Sequence, residues 1–245
     1  MIGYERQQKI LEYLDGRKSA TIRELATALY TSEASIRRDI QALEASGFVN
    51  KIYGGVILSK YQNTVVPVGL RDGDHSTVKE ELAKRAAQMI KDGDTVILDA
   101  SSTVRRIVKY MGHLRNVKII TNNLSIFSEC EYPDVRLYCT GGTYSPHNHA
   151  FIGPSAENYL RGISADILFF SSQGITEDGI ISDVSEEESA IRRVMIEHSK
   201  KRYFLCDSSK LGVQKMFKLC HKDDLTGVIC DKILPWEKNE RKNSY

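Results

Sequence analysis

The densest chemistry-bearing stretch of this chain is Ser101-Ser102-Thr103, three consecutive hydroxyls ahead of Val104, Ile107 and Val108, which recur at helical spacing. Hydroxyls and free backbone N–H groups at the positive end of a helix suit a phosphate. The same residues can also be a plain N-cap. Lys210, in the run DSSKLG, supplies a cation for that phosphate or simply a solvated charge, and Asn122-Asn123 offers amides for sugar hydroxyls or ordinary turn chemistry. These groups share one placement, since each comes after a polar residue closing an apolar run. Asp99, Thr121, Thr140, Ser171 and Asp207 end TVILD, VKIIT, VRLYCT, DILFFS and RYFLCD. The loops after them are Ala100 to Thr103, Asn122-Asn123, Gly141-Gly142, Ser172-Gln173-Gly174 and Ser208-Ser209-Lys210. In an open parallel sheet the carboxyl ends of the strands form the ligand crevice, so five loops are aimed at one small polar ligand.

A second group lies near the start of the chain. In the segment after Ser32, Ile36, Ile40 and Leu43 fall on one helical stripe, while Ala34, Arg38, Gln41 and Ala45 fall opposite, flanked by Ser35 and Arg37. Small residues let a helix enter the major groove closely, and Arg and Gln reach base edges or phosphates from there. Alone, such a face is more often the solvated side of a three-helix bundle.

The elements that must position these groups are set by periodicity and punctuation. A helix is expected over roughly 4–15. A second starts at the capping box Thr21-Ile22-Arg23-Glu24, and a third runs from the N-cap Ser32 to about Ala45, stopped by Gly47. Phe48 to Tyr53 and Val56 to Leu58 read as strands around a Gly54-Gly55 turn, which completes a winged helix-turn-helix over 1–58 with Lys51 and Tyr53 on the wing. Residues 59–77 lack periodicity and hold Pro67, Gly69 and Gly73, an interdomain linker. From 78 to 234 helices alternate with short β-rich runs, the pattern of an α/β domain with a mainly parallel sheet. The last residues, 235–245, form a polar tail, disordered or loosely docked.

At this point a family resemblance is plain. The stretch TIRELATALYTSEASIRRDIQALEASGFVNKIYGGV resembles the N-terminal signature of the DeoR family of bacterial repressors, above all in Ser32 to Asp39 and the terminal Gly-Gly. LDASST, TNN, GG, the segment with Asp166, Gly174 and Gly179, EEESAIRRVMI and DSSKLG are similar to the sensor domain of that family. The resemblance implies that Arg37 and Arg38 dock the recognition helix on double-stranded operator DNA. It also implies a sensor fold similar to ribose-5-phosphate isomerase and glucosamine-6-phosphate deaminase, taking a sugar phosphate or related effector. Carried over residue by residue, the effector site is Asp99, Ser101, Ser102, Thr103, Thr121, Asn122, Asn123, Gly141, Gly142, Gly174, Glu188 and Lys210. The family pattern is broken by Lys51, Tyr53, Thr31 and Ser35 in the first domain, and by Ala100 and Ser171-Ser172-Gln173 in the second.

Composition bounds the reading. With 41% hydrophobic and 27% charged residues the chain reads as globular, and no apolar run approaches a membrane span. The charged N-terminal MIGYERQQKI lacks the apolar core of a secretory signal, so a cytoplasmic protein is expected. Five cysteines without C-x-x-C spacing are expected to be reduced core residues. A net charge of +2 does not announce a nucleic-acid binder, and 1–58 holds eight Lys/Arg against seven Asp/Glu, so only the placement of charge can favour DNA. Two other readings compete. Asp99, Glu188 and Asp207 could serve a sugar-phosphate isomerase or deaminase, yet they show no catalytic spacing and fold alone does not settle chemistry. His147-x-His149 could bind a metal, but no third ligand sits at a recognised spacing. No cofactor is expected. One winged helix reads only a half-site, so a homodimer or homotetramer is.

Overall fold

The structure, a computed structural model, describes residues 3–17, 19–45, 48–52, 55–58, 76–146 and 148–237. Two compact units divide the chain, Met1–Asp74 and His75–Tyr245.

In the first unit, α1 (Gly3–Arg17), α2 (Ile22–Ala28) and α3 (Glu33–Ala45) pack on a three-stranded antiparallel sheet of β1 (Ser19–Thr21), β2 (Val49–Ile52) and β3 (Gly55–Leu58), in the order β1-β3-β2. Apolar residues at helical spacing drive this assembly: Ile10 and Leu14 of α1, Leu25 of α2, and Ile36, Ile40 and Leu43 of α3 meet Val49 and Val56 in one buried cluster. The start of α2 is the expected capping box, with Thr21 Oγ1 accepting from the Glu24 N–H at 3.0 Å and Glu24 Oε2 accepting from the Thr21 N–H at 2.7 Å. Arg6 of α1 forks onto Asp39 of α3, one bond at 3.2 Å, and so ties the first helix to the third. Two details differ from the sequence reading. Strand β1 is additional to it, and Gly55 is a strand residue rather than a turn residue. It is paired with Thr21 on one side and Ile52 on the other, and a Cβ there would stand 2.2 Å from the Ala20 carbonyl oxygen, so only glycine admits β1 so close. Gly47, Tyr53, Gly54 and linker residues 59–75 lie outside the described residues.

The second unit is built on a wholly parallel six-stranded sheet, ordered β14-β12-β9-β4-β5-β6. Its strands are β4 (Thr95–Leu98), β5 (Val117–Thr121), β6 (Val135–Cys139), β9 (Ala165–Phe170), β12 (Ser199–Cys206) and β14 (Gly227–Cys230). Alternate side chains enter two separate cores. Val96, Leu98, Ile119, Ile167, Phe169 and Leu205 face one, with α4 (Ser76–Ala87) and a 3-10 helix (Val104–Tyr110). Ile97, Ile120, Leu168, Phe170, Phe204 and Cys206 face the other, with α6 (Pro154–Arg161) and α7 (Glu186–Glu197). Burial on both faces explains why these strands read as near-continuous apolar runs. Between β5 and β6 lies the short α5 (Ile126–Glu129).

Two additions carry no clear sequence signal: the hairpin β7 (Thr143–Ser145) with β8 (Ala150–Ile152), and a small antiparallel sheet of β10 (Gly174–Ile175), β11 (Ile180–Asp183) and β13 (Phe217–His221). The linker expected to reach residue 77 gives way to α4 at Ser76, because Ser76-Thr77 extends the helical register by two residues. Trp236, placed by composition in the polar tail, packs against the second core, with the Lys222 ammonium 5.6 Å from its ring. All five cysteines are free, and Cys130, Cys206, Cys220 and Cys230 are buried.

Candidate functional sites

On the first unit, α3 turns Ile36, Ile40 and Leu43 inward and leaves Ser32, Ala34, Arg37, Arg38 and Gln41 at the surface. Ser32 caps the helix, its Oγ accepting the Ser35 N–H at 3.3 Å and lying 3.0 Å from Ser35 Oγ. Both hydroxyls are therefore engaged in fixing the helix start. Arg37, with a side chain 66% exposed, makes an i−4 ion pair with Glu33 at 3.3 Å. On the wing, Lys51 pairs with Glu44 through its ammonium and its backbone N–H. The Glu44 carboxyl is held below its ordinary range first by that ammonium and then by the N–H. Arg38 is exposed and has no side-chain partner among the described residues. A cavity of about 460 Å³ lies between the start of α2, α3 and the wing, lined by Arg23, Glu33, Arg37, Gln41 and Lys51 over an apolar floor of Ile22, Ile40 and Ile52. The helix, its neighbour and the wing thus present cations and amides around one hollow, as a groove-reading surface requires. Tyr53 lies outside the described residues.

On the second unit, the sheet order sets the ends of β12, β9, β4 and β5 side by side, and the site grows from those ends. Asp99, fully buried after β4, accepts the Ser101 N–H at 3.0 Å on one oxygen and the Ser171 N–H at 3.3 Å on the other. That second oxygen also takes the Arg192 Nε–H at 2.8 Å. Arg192 is the hub. From α7 its other nitrogens reach Asp183 at 2.9 Å and Glu188 at 2.8 Å, while Ser172 donates to Asp183 and Asn148 to Glu188. Burial alone would lower the Arg192 pKa, but the charges of Glu188, Asp183 and Asp99 outweigh it and raise it above the ordinary guanidinium value. Lys210 reaches the same network from the β12 end, donating to Ser171 Oγ at 2.7 Å and standing 3.7 Å from Asp207.

The hydroxyl cluster divides between its two expected roles, helix cap and open polar groups. After Thr103 the chain enters a 3-10 helix of 7 residues, and the opening N–H groups of that helix are not free. Those of Val104, Arg105 and Arg106 go to Ser101 Oγ, Ser101 O and Thr103 O. Ser101 is therefore the cap, which leaves the N–H groups of Ser102 and Thr103 as first-turn donors without an acceptor among the described residues. Thr103 Oγ1, in contrast, is buried with no partner among the described residues, as are Asn122 Oδ1 and Asn123 Nδ2 on the loop after the adjacent strand β5. Their other amide atoms are used, Asn122 Nδ2 on Phe151 O at 3.0 Å and Asn123 Oδ1 on the Ser125 N–H at 2.9 Å.

Several residues carried over by resemblance have structural employment. Thr121 Oγ1 donates to Leu98 O at 2.7 Å and accepts the Asn123 N–H at 3.0 Å, which staples the β4 and β5 ends together. A Cβ on Gly142 would stand 2.6 Å from Ile152 O, and one on Gly174 2.3 Å from Val213 O, so both glycines admit close backbone packing. Gly141 has φ +62 with open space around it, and Ser102 is buried beside Thr103. The residues that sequence reasoning missed are Arg192, Asp183 and Asn148. An arginine close to the acidic run at 186–188 is the available signal, but it reads as part of a solvated helix start. Among the described residues no three His, Cys, Asp or Glu side chains are grouped to hold a metal, and His147 is outside them.

A winged helix-turn-helix followed by an α/β unit with a buried polar network at its strand ends fits a ligand-sensing DNA-binding regulator. The comparisons agree with that class. The DeoR-like helix-turn-helix domain matches residues 6–62 and the DeoR C terminal sensor domain residues 74–232. The chain is 31% identical over 232 residues to the HTH-type transcriptional regulator GolR of Listeria innocua, covering 94% of this chain and 91% of that protein. It is 30% identical over 246 residues to the lactose phosphotransferase system repressor of Staphylococcus epidermidis, covering 99% and 97%. It is 27% identical to the L-fucose operon activator of Haemophilus influenzae, covering 94% and 92%. The chain belongs to the DeoR family and is a DNA-binding transcriptional regulator rather than an enzyme. Among solved structures, ribose 5-phosphate isomerase from Plasmodium falciparum is 15% identical with a TM-score of 0.40, covering 55% of this chain and 52% of that one. The chain spans about half the length of that isomerase, a likeness too distant to bear on chemistry. No described helix is long and apolar enough to cross a membrane.

Proposed function

We propose that the protein is a repressor of genes for sugar or related-metabolite use, released from its operator when a phosphorylated sugar occupies the strand-end crevice of the second unit. One observation carries this reading: Thr103 Oγ1, Asn122 Oδ1 and Asn123 Nδ2 are buried without partners on loops leaving neighbouring strands. Leaving a buried polar atom unpaired costs about 1–3 kcal/mol, and native proteins leave few. Three together, both acceptors and donors, mark a place where a ligand with hydroxyl and phosphate oxygens completes the hydrogen bonding. Lys210 adds the cation, and the Asp99–Arg192 network holds the loops in place. Two relatives named as repressors, one of a lactose system, support the direction of control. The protein acts in the cytoplasm as a homodimer or homotetramer, since a single winged helix covers only half of a two-fold operator.

The test pairs a thermal-shift screen of sugar phosphates with operator binding, using a Thr103→Val, Lys210→Ala variant beside the parent. The parent should gain stability and lose operator affinity with one sugar phosphate. The variant should keep its operator affinity and lose both responses. A variant that binds the effector as tightly as the parent puts the phosphate site elsewhere.

A further inference from the structure

The hollow between α2, α3 and the wing is lined by three cations, and they are not equivalent. Arg37 is paired with Glu33 and Lys51 with Glu44, so a phosphate arriving there must compete with a carboxylate for each. Arg23 lines the same hollow, is exposed, and has no ion pair or hydrogen bond among the described residues. It lies in the first turn of α2, and the Thr21–Glu24 capping box holds that turn without using the guanidinium. Capping accounts for the whole sequence motif that contains Arg23 and leaves this side chain without a role. We propose that Arg23 is a DNA-backbone contact, binding a phosphate beside the stretch of groove entered by α3, and that it contributes more to backbone affinity than Lys51 does. The inference rests on the reading of the first unit as the DNA-binding unit.

An uncommitted guanidinium has no ion pair to break and can bind a phosphate bidentately, whereas Lys51 must first leave Glu44. Backbone contacts are independent of base sequence, so a duplex of arbitrary sequence is a sufficient probe. Each phosphate neutralised contributes about −0.9 to the slope of log affinity against log salt. In full-length protein at low ionic strength, Arg23→Ala should flatten that slope by about 0.9 and weaken binding to operator and arbitrary duplex by the same factor. Lys51→Ala should flatten it by less. Arg23→Lys should restore most of the slope, a rescue that a purely structural role would not give. Arg23→Gln, which keeps the stem and the helix, removes the charge alone should the alanine variant lose its fold. A folded Arg23→Ala or Arg23→Gln protein with the parent's slope overturns the assignment, as does an Arg23 effect seen at the operator but not on arbitrary duplex. Failure of the parent itself to bind any duplex at low salt would instead remove the reading of the first unit, and this inference with it.

Discussion

Replacing Arg192 with methionine removes one cation from among three carboxylates. In the parent, the guanidinium bonds Asp99 at 2.8 Å, Asp183 at 2.9 Å and Glu188 at 2.8 Å, with its side chain only 4% exposed. Methionine fills much of the aliphatic volume, so the loss is chiefly electrostatic, and Asp99, Asp183 and Glu188 stay buried without a counter-charge. Breaking one buried pair costs about 3–5 kcal/mol, and here a single deletion breaks three. Against a total stability of about 5–15 kcal/mol, a loss of at least that size is a large fraction. The sole tryptophan, Trp236, packs on the second core, so its fluorescence during urea unfolding reports on this unit. With a denaturant slope of about 1–3 kcal/mol per molar, the midpoint should fall by roughly 1 M or more. Glu186→Gln, at a solvent-facing position of the same helix, should leave the midpoint where it was. A folded Arg192→Met protein whose midpoint matches the parent's would refute the claim that this ion network holds the strand-end loops.

Two further outcomes are expected elsewhere in the molecule. Tyr30, at φ +48 and 97% exposed, sits in the left-handed region with almost no packing to offset the cost of about 1–2 kcal/mol. Tyr30→Asn, tolerated in that region, should therefore raise hydrogen-exchange protection of the α3 core amides, and unchanged or lower protection would contradict the strain. Asp166 is held below its ordinary 3.8 first by the Lys200 ammonium at 2.8 Å and then by the Thr95 N–H at 3.0 Å, with burial opposing. A depressed carboxylate contributes stability that is present in full above its unfolded value and is lost as pH falls through its lower folded value. Asp166→Asn should accordingly unfold more easily than the parent at neutral pH, and the gap should close in acid below 3.8. A gap independent of pH would assign the effect to packing instead.

How far the sequence carries depends on whether the relevant signal is local. The helices of the first unit are legible because capping and periodicity act over a few residues, as at Thr21–Glu24 and Ile36–Ile40–Leu43. The parallel strands are legible as apolar runs because both faces are buried. The elements that escape are non-local. β1 is three residues long and exists only because β3 pairs with it, β10 has two residues, and β13 contains Lys218 and His221, which break its apolar pattern. Arg192 escapes for the same reason. Its partner Asp99 is 93 positions away, and the i,i+4 spacing to Glu188 that sets Arg192 apart from Arg193 within α7 is equally the pattern of a solvated helix face.

The same distinction sorts the candidate effector residues. Ser101, which the sequence leaves open as phosphate ligand or cap, is a helix cap, its Oγ spent on the Val104 N–H. Thr121 reads as a ligand and is a staple, its hydroxyl used both as donor and as acceptor. Thr103, Asn122 and Asn123 are different in kind: each keeps one buried polar atom unspent after every local bond has been made. A side chain whose hydrogen bonds are complete gains nothing from a ligand, whereas one with a buried unsatisfied atom is stabilised by any partner that reaches it. The unspent atoms therefore define where affinity can come from, and the satisfied ones define how rigidly those atoms are held. On that basis Thr103→Val in the ligand-free protein should leave the urea midpoint of the second unit unchanged or slightly raised, because the hydroxyl it removes has no partner to lose. A clear fall in that midpoint would show that the hydroxyl is already satisfied within the fold and would strike it from the effector site.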